Sequence, residues 1–129
     1  MNVAIVDDEL EMRQTLVDYI ERFGEESGIN LETVTFESGE QFLKDYRKIF
    51  DIIIFDIDMP GINGIDTARK LRETDSNVTI IFVTNIAQYA INGYEVDAVD
   101  YILKPVSYYD FSMKFHRTVA KAARRRNIP

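Results

Sequence analysis

Residues 52–61 read Ile52-Ile53-Ile54-Phe55-Asp56-Ile57-Asp58-Met59-Pro60-Gly61: four apolar residues without polar alternation, then a carboxylate, then turn residues. A strand with one wet face alternates apolar and polar side chains, whereas a central parallel strand is covered on both faces and does not. Ile80-Ile81-Phe82-Val83 has the same character, and the two runs predict central parallel strands. Outward from them, Val3 to Val6, Leu31 to Phe36, the wider Val78 to Val83 and Val99 to Leu103 bring the strands to five. Leu31-Glu32-Thr33-Val34-Thr35-Phe36 is more mixed and suits an edge.

Longer segments with helical spacing separate the runs. The first follows Asp7-Asp8, with Met12, Leu16, Ile20 and Phe23 on one stripe and Gly24 placed to end it. The second opens at Ser38, where Gln41 completes a capping-box signal, and carries Phe42, Leu43 and Tyr46. The third spans Gly64 to Arg72 with Ile65, Ala68 and Leu71 as its buried edge. A short fourth runs from Ile86 to Ile91 and is interrupted by Asn92-Gly93. The fifth starts at Ser107 with Asp110 as capping partner and presents Phe111, Phe115 and Val119 to the core. Strands alternating with helices predict an α/β fold: a parallel sheet with right-handed crossovers and helices on both faces.

In such sheets the ligand site lies beyond the carboxyl ends of the strands. Strand 1 ends in Asp7-Asp8, strand 3 in Asp56, strand 4 in Thr84 and strand 5 in Lys104-Pro105, so these polar groups share one rim. Three crowded carboxylates repel one another, and a hard divalent cation with oxygen ligands, joined by one ammonium, relieves the repulsion; the site asks for Mg²⁺. Beside a cation and Lys104, an Asp carboxylate can act as a nucleophile toward phosphorus, with Thr84 donating to a phosphoryl oxygen.

Composition narrows the remaining classes. The chain has 129 residues, Lys+Arg 15 against Asp+Glu 22 and a net charge of −7, which fits one domain with a sizeable core and opposes binding to nucleic acid by this segment. No cysteine is present, so neither a disulfide framework nor a thiolate metal site is available. Met1-Asn2-Val3-Ala4-Ile5-Val6 runs straight into Asp7-Asp8-Glu9 without a basic leader or an apolar stretch of bilayer length, so a soluble, cytoplasmic protein without membrane contact is expected.

With these residues in place, the chain resembles the response-regulator receiver domain of two-component signalling, from Val3 to the last helix. Val6-Asp7-Asp8-Glu9 looks like the acidic pair and Phe55-Asp56-Ile57-Asp58-Met59-Pro60-Gly61 like the phosphoacceptor segment. Val83-Thr84 looks like the switch threonine, and Tyr101-Ile102-Leu103-Lys104-Pro105 like the switch aromatic with the family lysine and proline. The resemblance implies a flavodoxin-like, doubly wound five-stranded parallel sheet of order 2-1-3-4-5 with five helices. It also implies that Asp56 accepts a phosphoryl group from a sensor histidine kinase. Asp8 and Asp56 would bind Mg²⁺ through carboxylates and Asp58 through its backbone carbonyl, with Asp7 ordering water around the ion. Lys104 would pair with a phosphoryl oxygen across a cis Lys104-Pro105 bond. Thr84 would move toward the phosphoryl group and Tyr101 turn inward behind it, reshaping the face of predicted helix 4, strand 5 and predicted helix 5. That face, with Tyr94, Tyr101, Tyr108 and Tyr109 in or beside it, is also where a partner or a homodimer would bind. Such a domain is a regulatory phosphoacceptor, limited to self-phosphotransfer and slow autodephosphorylation.

Residues 90–105 further resemble receivers joined to LytTR-type DNA-binding domains. The reading that follows is a receiver over residues 1–123, with residues 124–129 starting a linker to an effector domain outside this chain that controls transcription. The basic tail Lys121, Arg124, Arg125 and Arg126 otherwise fits the negative end of the last helix, and His116 lies off the core stripe as a surface residue. One departure is Asn85, where the family more often has Ala or Gly; the larger amide is expected to slow small phosphodonors. Three alternatives stay open: an Asp-x-Asp phosphohydrolase using Asp56 and Asp58, an FMN carrier of similar architecture, and a receiver that binds without phosphorylation. Pro60 departs from the first pattern, and Asp7-Asp8-Glu9 would repel the phosphate that the second must cradle.

Overall fold

The computed structural model describes residues 1–85 and 95–127. Chain order is β1 (Asn2–Val6), α1 (Leu10–Ser27), β2 (Glu32–Phe36), α2 (Gly39–Lys44), β3 (Ile52–Asp56), α3 (Gly64–Thr74), β4 (Thr79–Thr84), β5 (Ala98–Leu103) and α4 (Tyr108–Asn127). The five strands are parallel in the order β2-β1-β3-β4-β5, as the resemblance implied, and β2 is an edge. Four helices stand among the described residues rather than five, because the predicted helix from Ile86 to Ile91 lies outside them.

The strand period of two explains why β3 and β4 lack polar alternation. Ile52, Ile54, Ile81 and Val83 pack with Leu16, Ile20 and Phe23 of α1 and with Phe111, Phe115 and Val119 of α4. Their neighbours Ile53, Phe55, Ile80 and Phe82 pack on the other face with Phe42 of α2 and Ile65, Ala68 and Leu71 of α3. Both faces are thus dry, and the sheet is closed between two helical layers.

Helix ends depart from the sequence reading. Gly24 lies inside α1, and Gly28 ends the helix in a left-handed conformation at φ 68°. Gly24 is instead a close-approach site, because a Cβ there would stand 2.8 Å from the carbonyl oxygen of Ile29. Helix α2 ends at Lys44, so Tyr46 packs from the following loop. Ser38 caps it as expected: its hydroxyl accepts the Gln41 amide at 3.0 Å, while Gln41 Oε1 accepts the Glu37 amide at 2.6 Å. Ser107 likewise caps α4 by accepting the Asp110 amide at 3.1 Å. Helix α4 runs to Asn127 and carries the basic tail at its end. Arg125 there donates to the carbonyls of Asn77 and Val78 at 2.6 and 3.0 Å and pairs with Asp97 at 2.9 Å. His116 is exposed.

Candidate functional site

The carboxyl ends of β1, β3, β4 and β5 bring the predicted residues to one rim. Asp7 continues beyond β1, where its amide donates to the Phe36 carbonyl at 3.1 Å. Asp56 is the last residue of β3, in register with Val83, and Thr84 is the next residue of β4. The Lys104 amide donates to the Thr84 carbonyl at 2.8 Å, which carries the β4–β5 ladder one step further and swings the lysine over the acidic group. Lys104-Pro105 is cis.

Oxygen atoms from the carboxylates of Asp7, Asp8, Glu9 and Asp56 lie within 4.8 Å of one another. Asp7 and Asp56 are buried, at 1% and 2% exposure, while Asp8 and Glu9 face solvent. The Lys104 ammonium stands 3.3 Å from Asp7, 3.3 Å from Glu9 and 3.4 Å from Asp56 Oδ1. Its geometry toward Asp56 is that of an ion pair without a hydrogen bond, so Oδ1 is a buried acceptor that receives no hydrogen bond among the described residues. Burial works against the Lys104 charge, yet Asp56 and Asp7 outweigh it and raise its pKa. Burial raises the pKa of Asp7, with the Glu9 amide and Lys104 pulling back. At Asp56, burial first and the charge of Asp7 second push the carboxyl up to about 7.

This donor set fits Mg²⁺. All the donors are hard oxygens, one ammonium faces four carboxylates, and a buried carboxylate oxygen lacks a hydrogen-bond donor. The same carboxylates leave no cradle for a flavin phosphate on the β1 loop. Asp58 is exposed and its side chain is not in the group, so it does not pair with Asp56 as the phosphohydrolase alternative required. Thr84 is fully buried at the end of β4. Tyr101 is half-buried on β5, packed against the α2–α3 layer with the Lys114 ammonium 5.3 Å above its ring. Asn85 is exposed next to Thr84, and Tyr94 lies outside the described residues.

Three contributors escaped the sequence reading. Glu9 shares Lys104 with Asp7 and Asp56, although only its adjacency to Asp7-Asp8 marked it. Arg13 is 9% exposed, and its guanidinium donates to the Asp7 carbonyl at 2.8 Å. Its signal was an arginine three residues before Leu16, on the apolar stripe of α1. Gly64 opens α3 against Asp56, where a Cβ would stand 2.1 Å from the Asp56 carbonyl oxygen. No other residue fits there without moving the strand end.

Residues 3–114 match the family described as Response regulator receiver domain. Sensory transduction protein LytT of Bacillus subtilis (strain 168) is 37% identical over 105 residues, covering 81% of this chain and 42% of that protein. The chain thus spans less than half the length of that curated relative. The response regulatory domain of protein mrkE from Klebsiella pneumoniae superposes with a TM-score of 0.84 at 28% identity, over 96% of this chain and 99% of that one. Response regulator protein TrrA from Thermotoga maritima, solved in complex with Mg(2+)-BeF, superposes with a TM-score of 0.77 at 28% identity, over 91% of this chain and 97% of that one. With sheet order, acidic rim and family match in agreement, this chain belongs to the response regulator receiver domains of two-component systems.

Proposed function

We propose that Asp56 takes a phosphoryl group from a phosphohistidine on a sensor histidine kinase. The observation that carries this reading is the buried Asp56 carboxylate, held beside Asp7 and Asp8 with Lys104 3.4 Å away and with Oδ1 free of hydrogen bonds among the described residues. An Asp56 oxygen forms the new bond to phosphorus while the phosphorus–nitrogen bond breaks and its electron pair stays on the imidazole. Lys104 pairs with a phosphoryl oxygen, and the Thr84 hydroxyl donates to another after the threonine moves toward it. Tyr101 follows inward, so β5 and α4 present a changed face. The carboxylates of Asp8 and Asp56, the Asp58 backbone carbonyl and Asp7 would hold Mg²⁺, which when bound neutralises charge on the transferring group. The Mg(2+)-BeF complex of TrrA supports this assignment.

The relatives named LytT, of which this chain spans 42% and 47%, support a larger regulator in which a LytTR-type domain binds DNA and controls transcription in the cytoplasm. The changed face serves the output, including a homodimer. Incubating the protein with Mg²⁺ and acetyl phosphate and measuring intact mass tests the chemistry. One added phosphoryl group on the wild type and none on Asp56→Asn supports it; equal gain on both, or repeated turnover of a simple phosphate ester, contradicts it.

A further inference from the structure

Arg13 is a buried cation outside the residues assigned to phosphoryl chemistry. Helix α1 points it inward, where its Nη1 donates to the Asp7 carbonyl at 2.8 Å and its Nη2 stands 3.8 Å from Glu37 on the loop after β2. The Asp7 carbonyl belongs to the peptide that carries Asp8, and Asp8 is the exposed member of the acidic pair. Other restraints on the loop act on either side of that peptide: the Asp7 amide bonds to Phe36, the Glu9 amide bonds to Asp7 Oδ1 at 2.9 Å, the Glu9 carbonyl accepts the Arg13 amide at 3.0 Å, and Lys104 meets the Asp7 and Glu9 carboxylates. Crowded carboxylates favour a loop that swings Asp8 into solvent, and among the described residues the Arg13 fork opposes that swing.

We infer that Arg13 is a positioning residue for the cation site: it fixes the Asp7–Asp8 peptide and so keeps the Asp8 carboxylate beside that of Asp56. The inference rests on the Mg²⁺ reading above. Its sign separates it from a simple charge effect. A nearby positive charge repels a dication, so by Coulomb's law alone its removal strengthens Mg²⁺ binding, whereas loss of an orienting partner weakens it.

The test is calorimetric titration of MgCl₂ into metal-free wild type, Arg13→Met, Arg13→Lys and Leu16→Ala. The last loosens the same helix from the core without touching the loop. Arg13→Met is expected to weaken Mg²⁺ on the order of tenfold. Arg13→Lys, which keeps the charge and loses the fork, falls between it and wild type, and Leu16→Ala melts lower yet binds as wild type does. Unchanged or tighter binding by Arg13→Met overturns the inference, as does equal weakening by Leu16→Ala. If Arg13→Met does not fold, wild-type affinity in Arg13→Lys overturns it. Hydrogen exchange of the Asp8 and Glu9 amides without metal distinguishes the two readings. If wild type binds no Mg²⁺, the cation reading fails, while faster exchange in Arg13→Met than in Leu16→Ala still supports positioning and equal exchange refutes it.

Discussion

Asp56 holds its proton up to about pH 7, because burial and the Asp7 charge oppose ionisation more than Lys104 favours it. The unfolded carboxyl titrates near ~4, so between these values the folded state carries a proton that the unfolded state lacks. This contribution to stability is complete below about pH 4 and is lost as pH rises through about 7. Asp56→Asn removes that loss. The metal-free variant should be more stable than wild type by roughly 2–4 kcal/mol at pH 8, with a smaller gap at pH 5, in parallel denaturant titrations. Because a bound cation needs the ionised carboxylate, wild-type Mg²⁺ affinity should rise from pH 6 to pH 8 by calorimetry. Gly64 acts at the same place through shape. Gly64→Ala puts a methyl group against the Asp56 carbonyl, so it should cost about 1–3 kcal/mol and weaken Mg²⁺ binding, both read on the purified variant.

Helix α1 assigns its two late glycines opposite tasks, and substitution separates them. Gly28 has no atom within 4 Å of an added Cβ but adopts φ 68°, so Gly28→Ala should cost only the left-handed penalty of about 1 kcal/mol. Gly24→Ala must also displace the Ile29 carbonyl and should cost more in the same melting experiment. The loop that follows α2 is tied to the end of α3 by the Tyr46 hydroxyl, which donates to Asp75 Oδ2 at 2.7 Å. Burial works against the Asp75 charge, but this bond and the amides of Asn77 and Val78 prevail and lower its pKa. Its contribution is present above the unfolded value of about 4 and is lost as pH falls below it. Burial and Asp75 raise the pKa of Tyr46, whose contribution is present below about pH 10 and is lost above it. Tyr46→Phe should therefore cost about 1–3 kcal/mol at neutral pH and flatten the alkaline limb of a stability–pH curve.

Across the whole molecule, the sheet was legible because sandwiching on both faces leaves a direct trace: Ile52 to Phe55 and Ile80 to Val83 show no polar position, and β2, at the edge, does. The rim was legible because strand ends are fixed once strands are, so Asp7, Asp8, Asp56, Thr84 and Lys104 followed together. What escaped depends on close contacts with nearby backbone carbonyls, which residue type and periodicity do not announce. Gly24 reads as a helix stop until Ile29 is seen against it, and the task of Arg13 shows only once its guanidinium is found on the Asp7 carbonyl. Gly64 reads as an ordinary helix start until it is seen pressed on β3. The molecule's chemistry converges on one carboxylate, and reductive trapping locates it. The protein is incubated with Mg²⁺ and acetyl phosphate, an acyl phosphate is reduced with borohydride, and the altered residue is found by peptide mass mapping. Receiver chemistry predicts a single reduced side chain, at Asp56; modification at Asp7, Asp8 or Asp58 instead, or an unmodified chain, contradicts it.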